Sequence, residues 1–410
     1  MDVFMDTFNQ TTLANGLTVV TETLPHVESV SMGVYVRTGS RTETAENSGV
    51  AHFLEHMAFK GTHSRSAEEI AMAIEDVGGN INAYTSRETT AYHLKVLKED
   101  AELGVDILSD IIQNPAFLEE EFKREQGVIL QELAASLDEP EEIVFDNLQE
   151  IIYPDHAMGW SILGTKKSIL EMNIPKLKAF MKSYYHPENM VVSIAGNIQH
   201  QTAVDLCTGY FNKLTGQQKT VNTSPTYHAG ARNTHKDLEQ SHIALCFNAM
   251  SSTDPHFYAA NIFTSILGGG MTSRLFQEIR EKRGLAYSIY AYLASYSDCG
   301  TFGIYAGTDA SQVQATIEVA QQEIQKLQQN ITVKELNRAK VGLLAGLKMS
   351  LESTDSRMGR MAKNHFLYGR HMTIEEIVND IERITLDEVI HASKVMTNPD
   401  DLALSTLGRQ

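Results

Sequence analysis

Only three cysteines occur in the 410 residues: Cys207, Cys246 and Cys299. They are scattered, none belongs to a CxxC pair and their number is odd, which argues against a disulfide framework and against a cysteine-built zinc site. Such sparse usage fits a reducing compartment. Basic charge is also short: 34 Lys and Arg stand against 52 Asp and Glu, a net charge of −18. An acidic surface repels phosphate backbones and anionic lipid heads, so neither nucleic acid nor membrane is expected as a partner. Basic ligands are favoured, although acidity serving solubility alone gives the same count. No apolar run approaches the ~18 residues that would span a bilayer. The first residues, Met1 to Thr7, lack the basic and apolar regions of a secretory signal and the Arg-rich character of a mitochondrial presequence.

What is present is an ordinary globular composition, 42% hydrophobic and 21% charged, in a chain long enough for two or three domains with large cores. Asn15-Gly16 is a turn signal. Leu17–Glu22 and Val30–Arg37 read as strands, and 81–97, rich in Tyr and Thr, is strand-like. Helices are expected over 49–60, 67–77 (stopped by Gly78-Gly79), 101–113, 118–136, 141–152 and 175–185, with a buried strand over 190–196. Residues 215–235, carrying Gln, Thr, Asn, Ser, Pro and Gly, read as a linker. Beyond it the order recurs: strand 243–248, helices 257–267 and 273–283, strands 287–295 and 300–306, helices 312–328 and 333–351. The expected fold is therefore α+β, with two homologous domains, 1–214 and 236–410, each a mostly antiparallel sheet covered by helices.

The chemistry concentrates in His52-Phe53-Leu54-Glu55-His56. On a helix, positions i, i+3 and i+4 share a face, so both imidazoles and the carboxylate reach one ion. Two histidines plus a later carboxylate, with one position open, is how catalytic zinc is held. The Glu between them can then accept a proton from the metal's water. A third ligand is expected from helix 118–136, where Glu125 and Glu132 lie seven apart on one face. Glu132 has Val128, Ile129 and Leu133 as neighbours, and a half-buried carboxylate of this kind is costly without a cation.

With these words in place, the chain resembles the M16 peptidases, the pitrilysin-type inverzincins, in the subfamily of mitochondrial processing peptidase β subunits and their short bacterial relatives. The likeness covers nearly the whole chain. It is carried by HFLEHMAFKGT (His52–Thr62), GGNINAYTSRETTAYH (Gly78–His93), REQGVILQEL (Arg124–Leu133) and LGGGMTSRLFQEIREKRGLAY (Leu267–Tyr287). The resemblance implies that His52, His56 and Glu132 bind one zinc ion per chain, that Glu55 is the general base, and that Glu125 orients a ligand histidine. It implies that Asn82 and Ala83 lie on an edge strand pairing with the substrate backbone; an ordinary turn asparagine after Gly78-Gly79 is the alternative for Asn82 alone. Arg280 and Tyr287 match a family pair that holds the scissile region; Arg280 by itself, in a charged run, also suits a solvated face. Gly268, Gly269 and Gly270 match the start of a glycine-rich loop, which is compatible with a helix cap and is no phosphate loop, since no GK[ST] follows. Glu142 and Asp146 fall where processing peptidases hold an arginine upstream of the cut, or form a solvated acidic face. His156 is expected to be structural.

The expected activity is zinc-dependent cleavage of extended, basic peptides. Because the family builds its chamber from four homologous domains and this chain supplies two, a homodimer is expected, with Arg280 and Tyr287 of one copy completing the zinc site of the other. The alternatives are a catalytic subunit that needs a different partner chain, and a non-catalytic scaffold subunit. Without a presequence, a bacterial cytoplasmic location is favoured over the mitochondrial matrix.

Overall fold

The computed structural model describes residues 7–216 and 223–409. Residues 1–6, and 217–222 of the expected linker, lie outside the described residues. Two compact units result. The first takes in 7–134, 160–216 and 349–373, and the second 135–159, 223–348 and 374–409.

The first unit carries six strands: β1 Phe8–Thr12, β2 Thr18–Thr23, β3 Ser29–Val36, β4 Asn80–Thr85, β5 Thr90–Leu97 and β6 Met190–Gly196. Their spatial order is β1-β2-β6-β3-β5-β4. All neighbours are antiparallel except β2 and β6. The Asn15-Gly16 turn joins β1 to β2, with Gly16 at φ 94° where a side chain would be strained. The whole of β6 is buried, as its run of Val, Ile and Ala requires. One face of the sheet carries helices Val50–Ala58, Ala67–Glu75, Ala101–Gln113 and Ile174–Tyr184, which close the main core. Helix Ala67–Glu75 starts on a capping box, Ser66 with Glu69.

The opposite face of this sheet is covered by helix Thr354–Tyr368, which comes from late in the chain. Met358, Met361 and Ala362 pack there against Val20, Tyr35, Ala91, Val191 and Ala195. Polar groups on the same face are met by the same helix. Ser193 donates to the Met358 carbonyl at 2.8 Å, and Ser31 and Thr354 share a hydrogen bond of 2.7 Å. Buried Glu22 on β2 pairs with Arg357 and Arg360.

The second unit holds β7 Gly230–His235, β8 Ser241–Ala249, β9 Ala286–Ser295, β10 Gly300–Thr308 and β11 Ala403–Gly408, in the order β7-β11-β8-β10-β9. Only β7 and β11 run parallel. Helices Phe257–Gly268, Val313–Asn330 and Leu386–Met396 fill the core on one face. Helix Pro140–Ile152 covers the other, setting Val144, Leu148 and Ile152 against Ala244, Cys246, Ala403 and Leu407. Read from β2 and β7 onward the two sheets follow one plan, β2-β6-β3-β5-β4 and β7-β11-β8-β10-β9, each with its single parallel pair at the same place. This is the α+β, two-sheet architecture expected, and the repeat is one of topology.

Four details differ from the sequence reading. The partition is not contiguous, because one helix of each sequence half serves the other half's sheet. Part of the expected linker is strand β7, whose exposed, polar residues make it a sheet edge and disguise it as a loop. The strand-like stretch 81–97 is a hairpin, β4 and β5, turned at Ser86–Thr89 by a 2.8 Å bond from the Ser86 amide to the Thr89 carbonyl. The expected helix 273–283 contains a π-helical turn over Phe276–Glu281.

Candidate metal centre

Helix Val50–Ala58 buries Val50, Ala51, Phe53, Leu54, Met57 and Ala58 and leaves His52, Glu55 and His56 on the remaining, half-buried face. Its N-cap is Gly49, at φ 88° and without a capping side chain. The Glu43 carboxylate does that work from the preceding loop, accepting the Gly49 amide at 2.8 Å and the Ala51 amide at 2.9 Å. Burial pushes the Glu43 carboxyl up to about 8 against the pull of those two amides. Phe53 stacks on Phe122, ring centroids 4.8 Å apart, which fastens helix Glu119–Ser136 alongside.

That second helix delivers both expected carboxylates. Glu125 is buried, and its Oε2 lies 3.0 Å from His56 Nδ1. A carboxylate can only accept, so this bond selects the Nδ1–H tautomer and turns the His56 Nε2 lone pair outward. Glu132 Oε2 lies 3.5 Å from His56 Nε2 and 3.7 Å from His52 Nε2. His52, His56 and Glu132 are the group of donors among the described residues that could hold a metal ion. Their separations are long for hydrogen bonds and match the roughly 3.4 Å edge of a tetrahedron of ligands with bonds near 2.1 Å. The donor set therefore fits a zinc ion. Burial, and then the neighbouring His56, hold His52 down at about 4, so its imidazole is neutral, as a metal ligand must be.

Glu55 sits between the two histidines. Burial raises its pKa; the Thr85 hydroxyl and amide and His56 pull it down, and Glu132 pushes it up. The Thr85 hydroxyl oxygen is buried and makes no hydrogen bond of ordinary length and angle among the described residues, so it acts on Glu55 through proximity.

The remaining expected residues are placed as follows. Asn82 and Ala83 lie on β4, the edge strand of the first sheet, whose outer side is unpaired among the described strands. The Asn82 side chain accepts the Ala83 amide at 2.8 Å. In the second unit, Arg280 lies in the π-helical turn Phe276–Glu281, and its guanidinium lies 4.8 Å from the ring centres of both Phe276 and Tyr287. Tyr287, at the start of edge strand β9, is 75% exposed, so the pair is assembled and presented outward. Gly268 and Gly269 have packing reasons of their own: a Cβ would meet the Ala291 amide at 2.3 Å or Ser265 Cα at 2.7 Å, whereas at Gly270 it would be in open space. Glu142 and Asp146 lie one turn apart on helix Pro140–Ile152, Glu142 exposed and Asp146 half-buried. On the same helix, Glu141 accepts the Tyr290 hydroxyl at 2.5 Å. His156 is structural in its contacts, bonding Thr223 and the Met158 amide. Sequence reasoning passed over Glu43, Thr85 and Lys60. Of these only Lys60, four residues after His56, had a visible signal.

Residues 18–166 match the family model described as Insulinase (Peptidase family M16), and residues 171–343 match Peptidase M16 inactive domain. The chain belongs to peptidase family M16. Within it, the similar relatives are of the short bacterial type. One is the uncharacterized zinc protease YmxG of Bacillus subtilis, 40% identical over 384 residues, covering 92% of this chain and 93% of that one. Another is an uncharacterized zinc protease of Rickettsia felis, 37% identical over 395 residues and 96% of each chain. The crystal structure of a protease from Helicobacter pylori shares the fold with a TM-score of 0.91, at 23% identity over 99% of this chain and 100% of that one. No helix among the described residues is long and apolar enough to cross a membrane.

Proposed function

We propose that the chain is a zinc-dependent endopeptidase that cleaves extended, basic peptides, either presequence-like or general oligopeptides, inside a closed chamber formed by two copies of itself. The observation that carries this reading is the convergence of His52 Nε2, His56 Nε2 and Glu132 Oε2, with Glu55 on the same helix face. A single zinc held there would supply Lewis acidity toward the scissile carbonyl and make hydroxide available near neutral pH. Glu55 takes the proton of the attacking water and passes it to the leaving amine nitrogen. Burial moves its pKa toward neutrality, which suits a group that must both accept and release a proton. Glu125 holds the His56 ring in the tautomer that ligates.

Substrate would add to the open edge of β4 beside Asn82 and Ala83, since main-chain bonding gives affinity with little sequence demand. Arg280 and Tyr287 would steady the scissile region and its developing oxyanion, supplied by the second copy. Gly270, where a side chain would meet open space, together with Gly268 and Gly269 would give that region its loop. Glu142 with Asp146 would receive a substrate arginine, and the net charge of −18 would draw basic peptides in.

The test is cleavage of a basic peptide of roughly 20 residues, long enough for extended pairing. It compares wild type, Glu55→Gln, Arg280→Ala and a mixture of the two variants. Wild type is expected to be active, each variant at least ~100-fold slower, and the mixture partly restored because one of its shared sites is intact. An inactive wild type that binds zinc would point to a different partner chain, and activity surviving in Glu55→Gln would overturn the mechanism.

A further inference from the structure

Glu125 is buried, yet it has two partners, not one. Its Oε2 takes His56 Nδ1 at 3.0 Å, and its Oε1 takes the Lys60 ammonium at 2.8 Å. Lys60 follows the end of helix Val50–Ala58, four residues after His56, and both side chains reach Glu125. The Lys60 side chain is 30% exposed and the Glu125 side chain only 4%. The carboxylate is thus gripped at both oxygens between two groups of a segment to which it does not belong. A bond at Oε2 alone would leave the carboxylate plane free to turn about that bond. The second bond, at Oε1, fixes the plane and with it the direction from which His56 is held.

We propose that Lys60 is a positioning residue of the metal centre. By clamping Glu125 Oε1 it fixes the carboxylate that orients the His56 ring, and so sets how well His52, His56 and Glu132 bind zinc. Removing Lys60 leaves Glu125 Oε1 buried without its cation, a condition that drives a carboxylate to rotate or seek water. His56 then keeps its donor but loses a fixed direction for Nε2. The proposal rests on the reading of those three side chains as the metal ligands.

Zinc affinity of the full chain, stripped of metal and titrated against a competing chelator, tests it. Outer partners of metal-bound histidines typically contribute 10–100-fold in affinity, so Lys60→Met is expected to bind zinc about tenfold more weakly. Lys60→Arg, which keeps donor and charge, should stay within roughly threefold on the same scale. Because Lys60 acts through Glu125, Lys60→Met added to Glu125→Gln should change affinity by no more than about twofold. A wild-type affinity in Lys60→Met, or an equal loss in both backgrounds, overturns the proposal. The second result would mark Lys60 as a general contributor to stability. Lys60→Gln gives the same comparison should the methionine variant fold poorly. His52→Ala separates the two levels: if it kept wild-type zinc affinity, the metal-site reading would fail and the role of Lys60 with it.

Discussion

Glu55 is pulled in two directions by its surroundings, and the balance is open to single substitutions. Burial disfavours its charged form, while Thr85 favours it. Replacing Thr85 by Val removes the hydroxyl at little cost in volume, so the Glu55 pKa should rise further above its ordinary range. A base that ionises later is less available in mild acid. The acidic limb of kcat/KM should therefore move to higher pH in Thr85→Val, with a severalfold loss at pH 6 that narrows by pH 8, and Thr85→Ser should restore it. An acidic limb that stays put in Thr85→Val would show that the hydroxyl does not act on the base. The sequence made His52, Glu55 and His56 legible because one helical turn places them together, whatever the fold. Glu132 and Glu125 needed only a second helix with seven-residue spacing. Thr85 had no such signal, since its nearness to Glu55 comes from the pairing of β4 with β5, which brings the strand's end under the helix face.

At the scale of elements, the helix that carries the ligands begins on a buried acid. The Glu43 carboxyl lies at about 8 in the folded chain against an ordinary 4.5. With the folded value above the unfolded one, the folded state holds its proton more tightly. The stabilisation is complete below about pH 4.5 and is lost as pH rises through 8. Wild type should consequently lose more stability between pH 5 and pH 9 than Glu43→Gln, which cannot ionise. At pH 5 the variant should be the weaker by about 1–2 kcal/mol, because one amide donor then faces another. Urea unfolding of the metal-free chains at both pH values measures this, and parallel losses in the two proteins would refute the assignment. Local pattern found several element ends well: helix 101–113 and strand 190–196 match the observed elements, and helices 118–136 and 141–152 miss by one residue. It failed where an element's identity depends on its neighbours. β1 and β7 are polar, exposed edge strands, recognisable only through β2 and β11.

Across the whole molecule, the sequence showed two halves but not the exchange between them. The second unit repeats the strand plan of the first. In it, helix Phe257–Gly268, which follows β8 as helix Val50–Ala58 follows β3, is buried along most of its length and has no histidine pair. Among the described residues, the group of side chains that could hold a metal lies in the first unit. The exchange of helices has a sharper consequence, because the outer face of the first sheet is finished only by residues 354–368. Without them Met358 and Met361 no longer cover Val20, Tyr35 and Val191, a burial worth about 1.5–3 kcal/mol for each large side chain. Glu22 would lose Arg357 and Arg360 and be opened to water with the rest of that face. The lost apolar burial alone is comparable with the lower end of the roughly 5–15 kcal/mol that holds a whole domain folded. A chain cut after residue 214, where the sequence alone would divide it, should therefore aggregate or unfold without a cooperative transition. The same fragment with residues 349–373 appended through a flexible linker should be monomeric, unfold cooperatively and bind zinc. Size-exclusion chromatography and thermal unfolding decide the matter. A fragment 1–214 that folds cooperatively alone would mean that helix 354–368 is an accessory cover and that the first sheet is stable with one face open.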